Sequence, residues 1–219
     1  MAAMTDGERR DRMVIEQIER RGVCDPRVLR ALREVPRELF VKRRDESRAF
    51  DDGALPIDCD QTISQPYIVA LMSAALELSG DERVLEIGAG SGYQTAVLSR
   101  LAGEVIAIER HDRLTRSAAE RLNQLGCANV TIGTGDGMRG DPERAPFDRI
   151  LIAAATAECP EPLWDQLAEG GILVGPFGPA SGQILKTLHK RDGKRHERSI
   201  TGCRFVPLIA GLPDPPLPS

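Results

Sequence analysis

The chain has 219 residues, 41% of them hydrophobic, enough to bury a full core as one domain with a small appendage. A formal net charge of −4 argues against a nucleic-acid surface, which needs a basic face. The early basic residues (among them Arg27, Arg30, Arg33, Lys42, Arg43, Arg44 and Arg48) are interleaved with acids, the pattern of a solvated helical face.

From Arg9 to Arg21, Val14, Ile15 and Ile18 fall on one side of an otherwise charged segment, which predicts an amphipathic helix ended by Gly22. Asp25-Pro26 supplies an N-cap and first-turn proline for a second helix through Glu34, stopped by Pro36. Arg48 to Ile63 lacks periodicity and carries Gly53, Pro56, Asp51, Asp52, Asp58 and Asp60, so it reads as a loop. Ser64-Gln65-Pro66 opens a helix whose apolar stripe is Ile68, Leu71, Met72, Ala75 and Leu76. Beyond Glu82, strands near 83–87, 104–108, 129–133, 148–153 and 171–175 alternate with helices near 92–101, 112–125 and 161–168. That alternation predicts a doubly wound α/β fold, its mostly parallel sheet covered on both faces. Two more strands, near 183–189 and 198–206, are joined by a turn at Asp192-Gly193. The expected organisation is a helical segment with a loop over 1–78, an α/β core over 79–212, and a proline-rich, disordered tail over 213–219.

Five scattered cysteines without a C-x-x-C pair suit reduced thiols rather than disulfides or a zinc site. The N-terminus lacks the apolar stretch of a signal peptide, and the apolar run Ile150–Ala157 is too short to span a bilayer. A cytoplasmic protein with neither nucleic-acid nor membrane partner is expected; the sequence does not fix the oligomeric state. His111, His189 and His196 lack ligand spacing, and no metal site is expected.

The stretch Val84 to Tyr93 runs from an apolar strand into a glycine-rich turn and then a helix, the layout of a nucleotide-binding crossover. Its spacing is G-x-G-x-G (Gly88, Gly90, Gly92), and Tyr93 stands where the dinucleotide fingerprint places its last glycine. Glu109 ends the next strand, where a carboxylate can take both hydroxyls of a ribose. An adenosine cofactor without a pyrophosphate is implied, and S-adenosylmethionine fits best.

Several segments together resemble the protein-L-isoaspartate O-methyltransferase family, in order from about residue 12 to residue 210. They are Thr62 to Tyr67, Val84 to Gln94, Gly135-Asp136-Gly137, Pro146-Phe147-Asp148, Gln166 to Gly171, and Arg204 to Leu208. The glycine motif marks only the broad class; Thr-Ile-Ser-Gln-Pro before it is far more specific. The resemblance implies a Rossmann-like, class I methyltransferase fold with an N-terminal helical appendage. It implies methylation of the free α-carboxylate of L-isoaspartyl residues, whose ester closes to a succinimide that reopens partly to normal aspartate. Isoaspartyl-containing proteins and peptides are then the partners.

On this resemblance Thr62, Ile63, Gly88, Gly90 and Gly92 lie against S-adenosylmethionine. Glu86 orients the glycine loop or the cofactor's amino group, Glu109 holds the ribose, and Asp136 with Gly137 meets the adenine. Ser64 lies beside the methyl donor and the acceptor carboxylate, although a serine before Gln65-Pro66 is also placed to cap the helix. The Val206 backbone is a contact for the peptide acceptor. A carboxylate is already ionised at neutral pH, so no general base is needed.

The chain departs from the family just ahead of Gln61, where Asp58-Cys59-Asp60 replaces a glycine-bearing turn. Non-glycine residues are unfavourable there if the turn needs positive φ. A carboxylate about 6 Å from the acceptor's own would repel it by roughly 1–3 kcal/mol. Weakened isoaspartyl turnover is therefore one expectation, and aspartates pointing to water the other. Three rival readings remain: a carboxylate methyltransferase with a different acceptor, such as one aspartate in a dedicated peptide; a dinucleotide oxidoreductase; and a cofactor-binding regulator without turnover.

Overall fold

The computed structural model describes residues 4–213, so all but the first residue of the expected tail lies outside the described residues. Helix α1 (Asp6–Met13) starts on a capping box: the Glu8 amide donates to the Thr5 hydroxyl, and the Thr5 amide to the Glu8 carboxylate. The expected uniform helix widens after Met13 into a π-helical turn (Val14–Ile18) and a 3-10 turn (Glu19–Arg21), which keeps Met13, Val14 and Ile18 all buried. It ends at Gly22, whose φ of 93° suits glycine. In α2 (Pro26–Glu34) the Asp25 carboxylate accepts from the Arg27 amide at 2.8 Å, with Pro26 in the first turn. Two short 3-10 turns, Arg37–Phe40 and Arg43–Arg48, follow.

The segment expected to be a loop contains a small hairpin, β1 (Leu55–Pro56) on β2 (Thr62–Ile63), which pairs Leu55 with Ile63. Strands of two residues leave no periodicity to read. Cys59 and Asp60 at its tip have φ of 57° and 56°, the two left-handed residues of a tight hairpin turn. Helix α3 (Pro66–Ala75) follows at once.

The main sheet comprises β3 (Arg83–Ile87), β4 (Glu104–Glu109), β5 (Val130–Thr134), β6 (Phe147–Ile152), β7 (Leu167–Phe177), β8 (Gln183–Arg191) and β9 (Lys194–Cys203). Its order is β5-β4-β3-β6-β7-β8-β9; the first five are parallel, and β8 and β9 pair antiparallel. Helices α4 (Tyr93–Ser99), α5 (Asp112–Gln124) and α6 (Glu161–Gln166) are the crossovers. The chain moves outward from β3 through β4 to β5 and returns to β6 on the other side of β3. The carboxyl ends of β3 and β6 therefore form a topological switch point, the place where such sheets bind ligands.

Alternation along β3 divides the core: Val84 packs with the N-terminal helices and α4, while Leu85 and Ile87 pack with Phe147, Ile150, Leu163 and Trp164 on the other face. Two boundaries differ from expectation. The helix expected to reach residue 168 stops at Gln166, because Leu167 is buried as the first residue of β7, opposite Phe147. The last strand lies at 194–203 rather than 198–206, because Asp192 and Gly193, both at positive φ, turn the chain in two residues and pair Arg191 with Lys194. Among the described residues no helix is long and apolar enough to cross a membrane.

Candidate active site

The turn after β3 is shaped by glycine. Gly88, Gly90 and Gly92 have φ of 87°, 55° and 87°, which L side chains rarely adopt. A Cβ on Gly92 would also come within 3.0 Å of the Ala118 Cβ, so this glycine seats α4 against α5. The loop is tied to β4: the Gly88 amide donates to the Ile108 carbonyl at 2.8 Å and the Gly90 amide to Glu109 Oε2 at 2.9 Å. Glu109 Oε1 accepts from the His111 amide at 2.9 Å. A carboxylate has about four acceptor positions, so buried Glu109 keeps capacity for a ligand.

Three clefts open over the carboxyl ends of β3, β4 and β6. The first, of about 530 Å³, is lined by Thr62, Gly88, Gly90, Glu109, Gly137 and Val206, with Ile108 and Leu208 as apolar walls. A second, of about 330 Å³, lies between the glycine loop and the hairpin and is lined by Thr62, Ile63, Ser64, Gly88, Gly90 and Tyr93. The third, of about 690 Å³, is lined by Thr62, Ser64, Gln65, Arg204, Phe205 and Val206. Thr62 and Ala153 border all three, and Ser64 borders the second and third. The three clefts thus meet at Thr62 and Ala153, and the second and third meet beside Ser64. Its side chain does not cap α3: Gln65 holds the N-cap position, and Ser64 makes no hydrogen bond among the described residues.

Of the residues expected at the cofactor or the acceptor, eight border one of these clefts or another: Thr62, Ile63, Gly88, Gly90, Glu109 and Gly137 for the cofactor, Ser64 and Val206 for the acceptor. Gly137 packs so closely that a Cβ there would lie 2.5 Å from Ile87 Cγ2. Three border none of them. Gly92 is internal to the loop. Asp136 turns its carboxylate onto the Met138 amide at 2.9 Å. Glu86 is fully buried beneath the loop, and neither of its oxygens has a hydrogen-bond partner among the described residues. Burial pushes the Glu86 carboxyl up to about 7; the Thr95 side chain pulls the other way and the Glu109 charge adds to the rise. An unpartnered acid under a glycine cradle, Glu109 with free acceptor capacity and apolar walls are a donor set that fits a cationic adenosine cofactor.

The segment after β9 is held against the chain just beyond β6 rather than continuing as strand. The Ala155 amide donates to the Val206 carbonyl and the Leu208 amide to the Ala155 carbonyl, both at 2.7 Å. Of the Val206 backbone expected near the acceptor, the carbonyl therefore already has one partner. Asp58 is not free to repel an acceptor: Lys42 Nζ lies 3.2 Å from one oxygen and Arg113 Nη2 2.9 Å from the other. The Lys42 contact, helped by Arg113, holds its carboxyl below the usual range. Neither Asp58 nor Asp60 borders the Ser64 clefts. The turn does take positive φ, at Cys59 and Asp60, and the Asp58 charge is paired with two cations.

Sequence reasoning missed Ala153 and Ala154, which line the site from the end of β6. The rule that ligands sit at the carboxyl ends of strands flanking the switch point identifies them. It also missed Tyr93 as a wall of the glycine-loop cleft.

Residues 8–212 match the family described as protein-L-isoaspartate(D-aspartate) O-methyltransferase. The protein-L-isoaspartate O-methyltransferase 1 of Syntrophobacter fumaroxidans is 50% identical over 201 residues, covering 91% of this chain and 94% of its own. The protein-L-isoaspartate O-methyltransferase of Azorhizobium caulinodans is 49% identical over 213 residues, covering 95% and 98%. Among solved structures, a protein-L-isoaspartate O-methyltransferase superposes with a TM-score of 0.82 at 32% identity, covering 90% of this chain and 65% of that one. A beta-aspartate methyltransferase from Plasmodium falciparum in complex with S-adenosyl-L-homocysteine gives 0.80 at 25% identity, covering 91% and 98%.

Proposed function

This chain belongs to the protein-L-isoaspartate(D-aspartate) O-methyltransferase family, and from that premise we propose how its residues carry out the reaction. The enzyme transfers a methyl group from S-adenosylmethionine to the free α-carboxylate of L-isoaspartyl residues in damaged proteins and peptides. The ester carries a better leaving group, so the backbone nitrogen closes a succinimide that reopens partly to aspartate.

The observation that carries our assignment of residues is the meeting of three clefts at Thr62 and Ala153, with Ser64 on both the glycine-loop and the third cleft. We assign the first two clefts to the cofactor and the third to the acceptor. Thr62, Ile63, Gly88 and Gly90 shape the cofactor's bed, with Gly92 fixing the helix behind it. Glu109 offers its remaining acceptor positions to the ribose, and Gly137 gives close approach for the base; Asp136 holds the turn that carries Gly137. Glu86 compensates positive charge from beneath the loop. When bound, S-adenosylmethionine supplies an electrophilic methyl group on a sulfonium.

The chain's own work is positioning. The acceptor is an anion at neutral pH, so no side chain has to remove a proton. Holding it in line and excluding water supplies the acceleration. Ser64, with no other partner, donates its hydroxyl hydrogen bond to the acceptor carboxylate, and Val206 closes the far side. We extend the reading to a division at residue 78 between the helical segment and the core, and to a cytoplasmic setting in which isoaspartyl proteins are the partners. The different-acceptor alternative drew on repulsion by Asp58 and Asp60; Asp58 is paired with Lys42 and Arg113, and neither aspartate borders the clefts beside Ser64.

Replacing Ser64 with alanine tests the assignment. A hydrogen bond to a charged group contributes about 1.5–3 kcal/mol, so kcat/KM for an isoaspartyl peptide falls about 10- to 150-fold. S-adenosylhomocysteine affinity by calorimetry stays within about threefold, because the wall loses only a hydroxyl. An S64A enzyme with undiminished turnover removes Ser64 from the acceptor site.

A further inference from the structure

Arg37 is completely buried, yet only its Nε has a partner: it donates to the Ala49 carbonyl at 2.8 Å. Both terminal nitrogens lack a hydrogen-bond partner among the described residues. The guanidinium carbon lies 4.9 Å from the centre of the Tyr93 ring, and Phe40 packs edge-on against the same ring at 5.4 Å. Tyr93 is itself buried, and its hydroxyl is unpartnered. Burial pulls the Arg37 guanidinium down to about 10, opposed by Tyr93. A buried arginine so poorly compensated is a cost to folding, since well-packed apolar residues usually serve stability as well or better. Its two attachments are informative.

Ala49 stands at the root of the segment that leads through Asp52 to the hairpin, and Gln65, next to Ser64, donates back to Asp52 Oδ1 at 2.7 Å. Tyr93 is the first residue of α4, directly after the glycine loop, and lines the cleft it shares with Thr62 and Ser64. One guanidinium thus bonds the segment that runs on to the acceptor wall and packs on Tyr93 of the donor wall, while Arg37 and Ala49 themselves line none of the three clefts. We propose that Arg37 is a positioning residue, a brace that fixes the gap between the acceptor segment ahead of Ser64 and the glycine loop that holds the methyl donor. The inference rests on the assignment of those two walls to acceptor and donor. A donor–acceptor gap enters turnover rather than the affinity of either wall alone, so the brace acts on kcat.

The test measures kcat with an isoaspartyl peptide, S-adenosylhomocysteine affinity and melting temperature for Arg37→Met, Arg37→Lys, Tyr93→Phe and the Arg37→Lys/Tyr93→Phe double variant. Misplacement of reacting groups by about 1 Å costs up to about 100-fold, so Arg37→Met falls about tenfold in kcat. Its S-adenosylhomocysteine affinity stays within about threefold and its melting temperature is not lowered, because it fills the volume without a buried charge. Arg37→Lys lies between it and the parent. The double variant loses less than the product of the two single losses, because the residues act as one unit. Parental kcat in folded Arg37→Met and Arg37→Lys overturns the brace, as does a kcat loss matched by an equal loss of affinity. If Arg37→Met does not fold, Arg37→Lys decides alone, and parental kcat in it overturns the proposal. A parent enzyme that does not methylate the peptide overturns the functional reading and the brace with it.

Discussion

Glu86 shows how one side chain links folding, pH and the cofactor. Its carboxyl, fully buried without a partner, stands near 7 in the fold, against about 4.5 for an ordinary glutamate. A carboxyl raised in this way binds a proton more readily in the folded chain than in the unfolded one. Stability of the free enzyme therefore falls as pH rises from about 4.5 to about 7, and the loss is complete above that. Glu86→Gln removes the buried charge, worth about 1–3 kcal/mol, and raises the melting point by about 2–10 °C at pH 8. At pH 4.5 the gain is largely gone; an equal gain at both pH values contradicts the account. Other residues differed in legibility. The glycines and Glu109 were readable because their spacing is local. The direction of the Asp136 carboxylate was not, because the Met138 amide that captures it is offered only by the folded turn.

At the scale of elements, the hairpin carries the clearest lesson. Its tip holds two non-glycine residues at positive φ, and Asp58 ties the turn to Lys42 on one side and to Arg113 of α5 on the other. Asp58 therefore fastens the hairpin near the glycine loop, where the Ile57 side chain reaches within 3.6 Å of a Cβ built on Gly90. Exposed ion pairs contribute up to about 1 kcal/mol each and weaken with salt. Asp58→Asn accordingly raises the KM for S-adenosylmethionine about two- to fivefold at low ionic strength, and the difference vanishes near 0.5 M salt. The KM of the isoaspartyl peptide stays within about twofold. A marked gain in peptide affinity instead restores the repulsion expected from sequence. Charge was readable there, but its partners were not: Lys42 and Arg113 lie sixteen and fifty-five positions away. The helices from Pro26 and Pro66 were legible from their proline starts. The hairpin had no periodicity to show, and β7 begins inside an apparently helical pattern because Leu167 gains more from burial against Phe147 than from another helical turn.

The molecule is built on a mostly parallel sheet whose switch point faces an N-terminal layer, and function follows from that juxtaposition. The alternation of strands and helices beyond Glu82 carried the sheet, because period and crossover length are written locally. The docking of the first fifty residues was not written locally. Arg37 against Tyr93, and the clefts that Thr62 and Ala153 both line, join distant parts of the chain and exist only once it is folded. Family membership and this geometry converge on one reaction. The most direct measurement is transfer of labelled methyl from S-adenosylmethionine to an isoaspartyl peptide and to its aspartyl twin. Labelling confined to the isoaspartyl peptide is the predicted result. Equal labelling of the twin, or none of either peptide with cofactor still bound, contradicts the account.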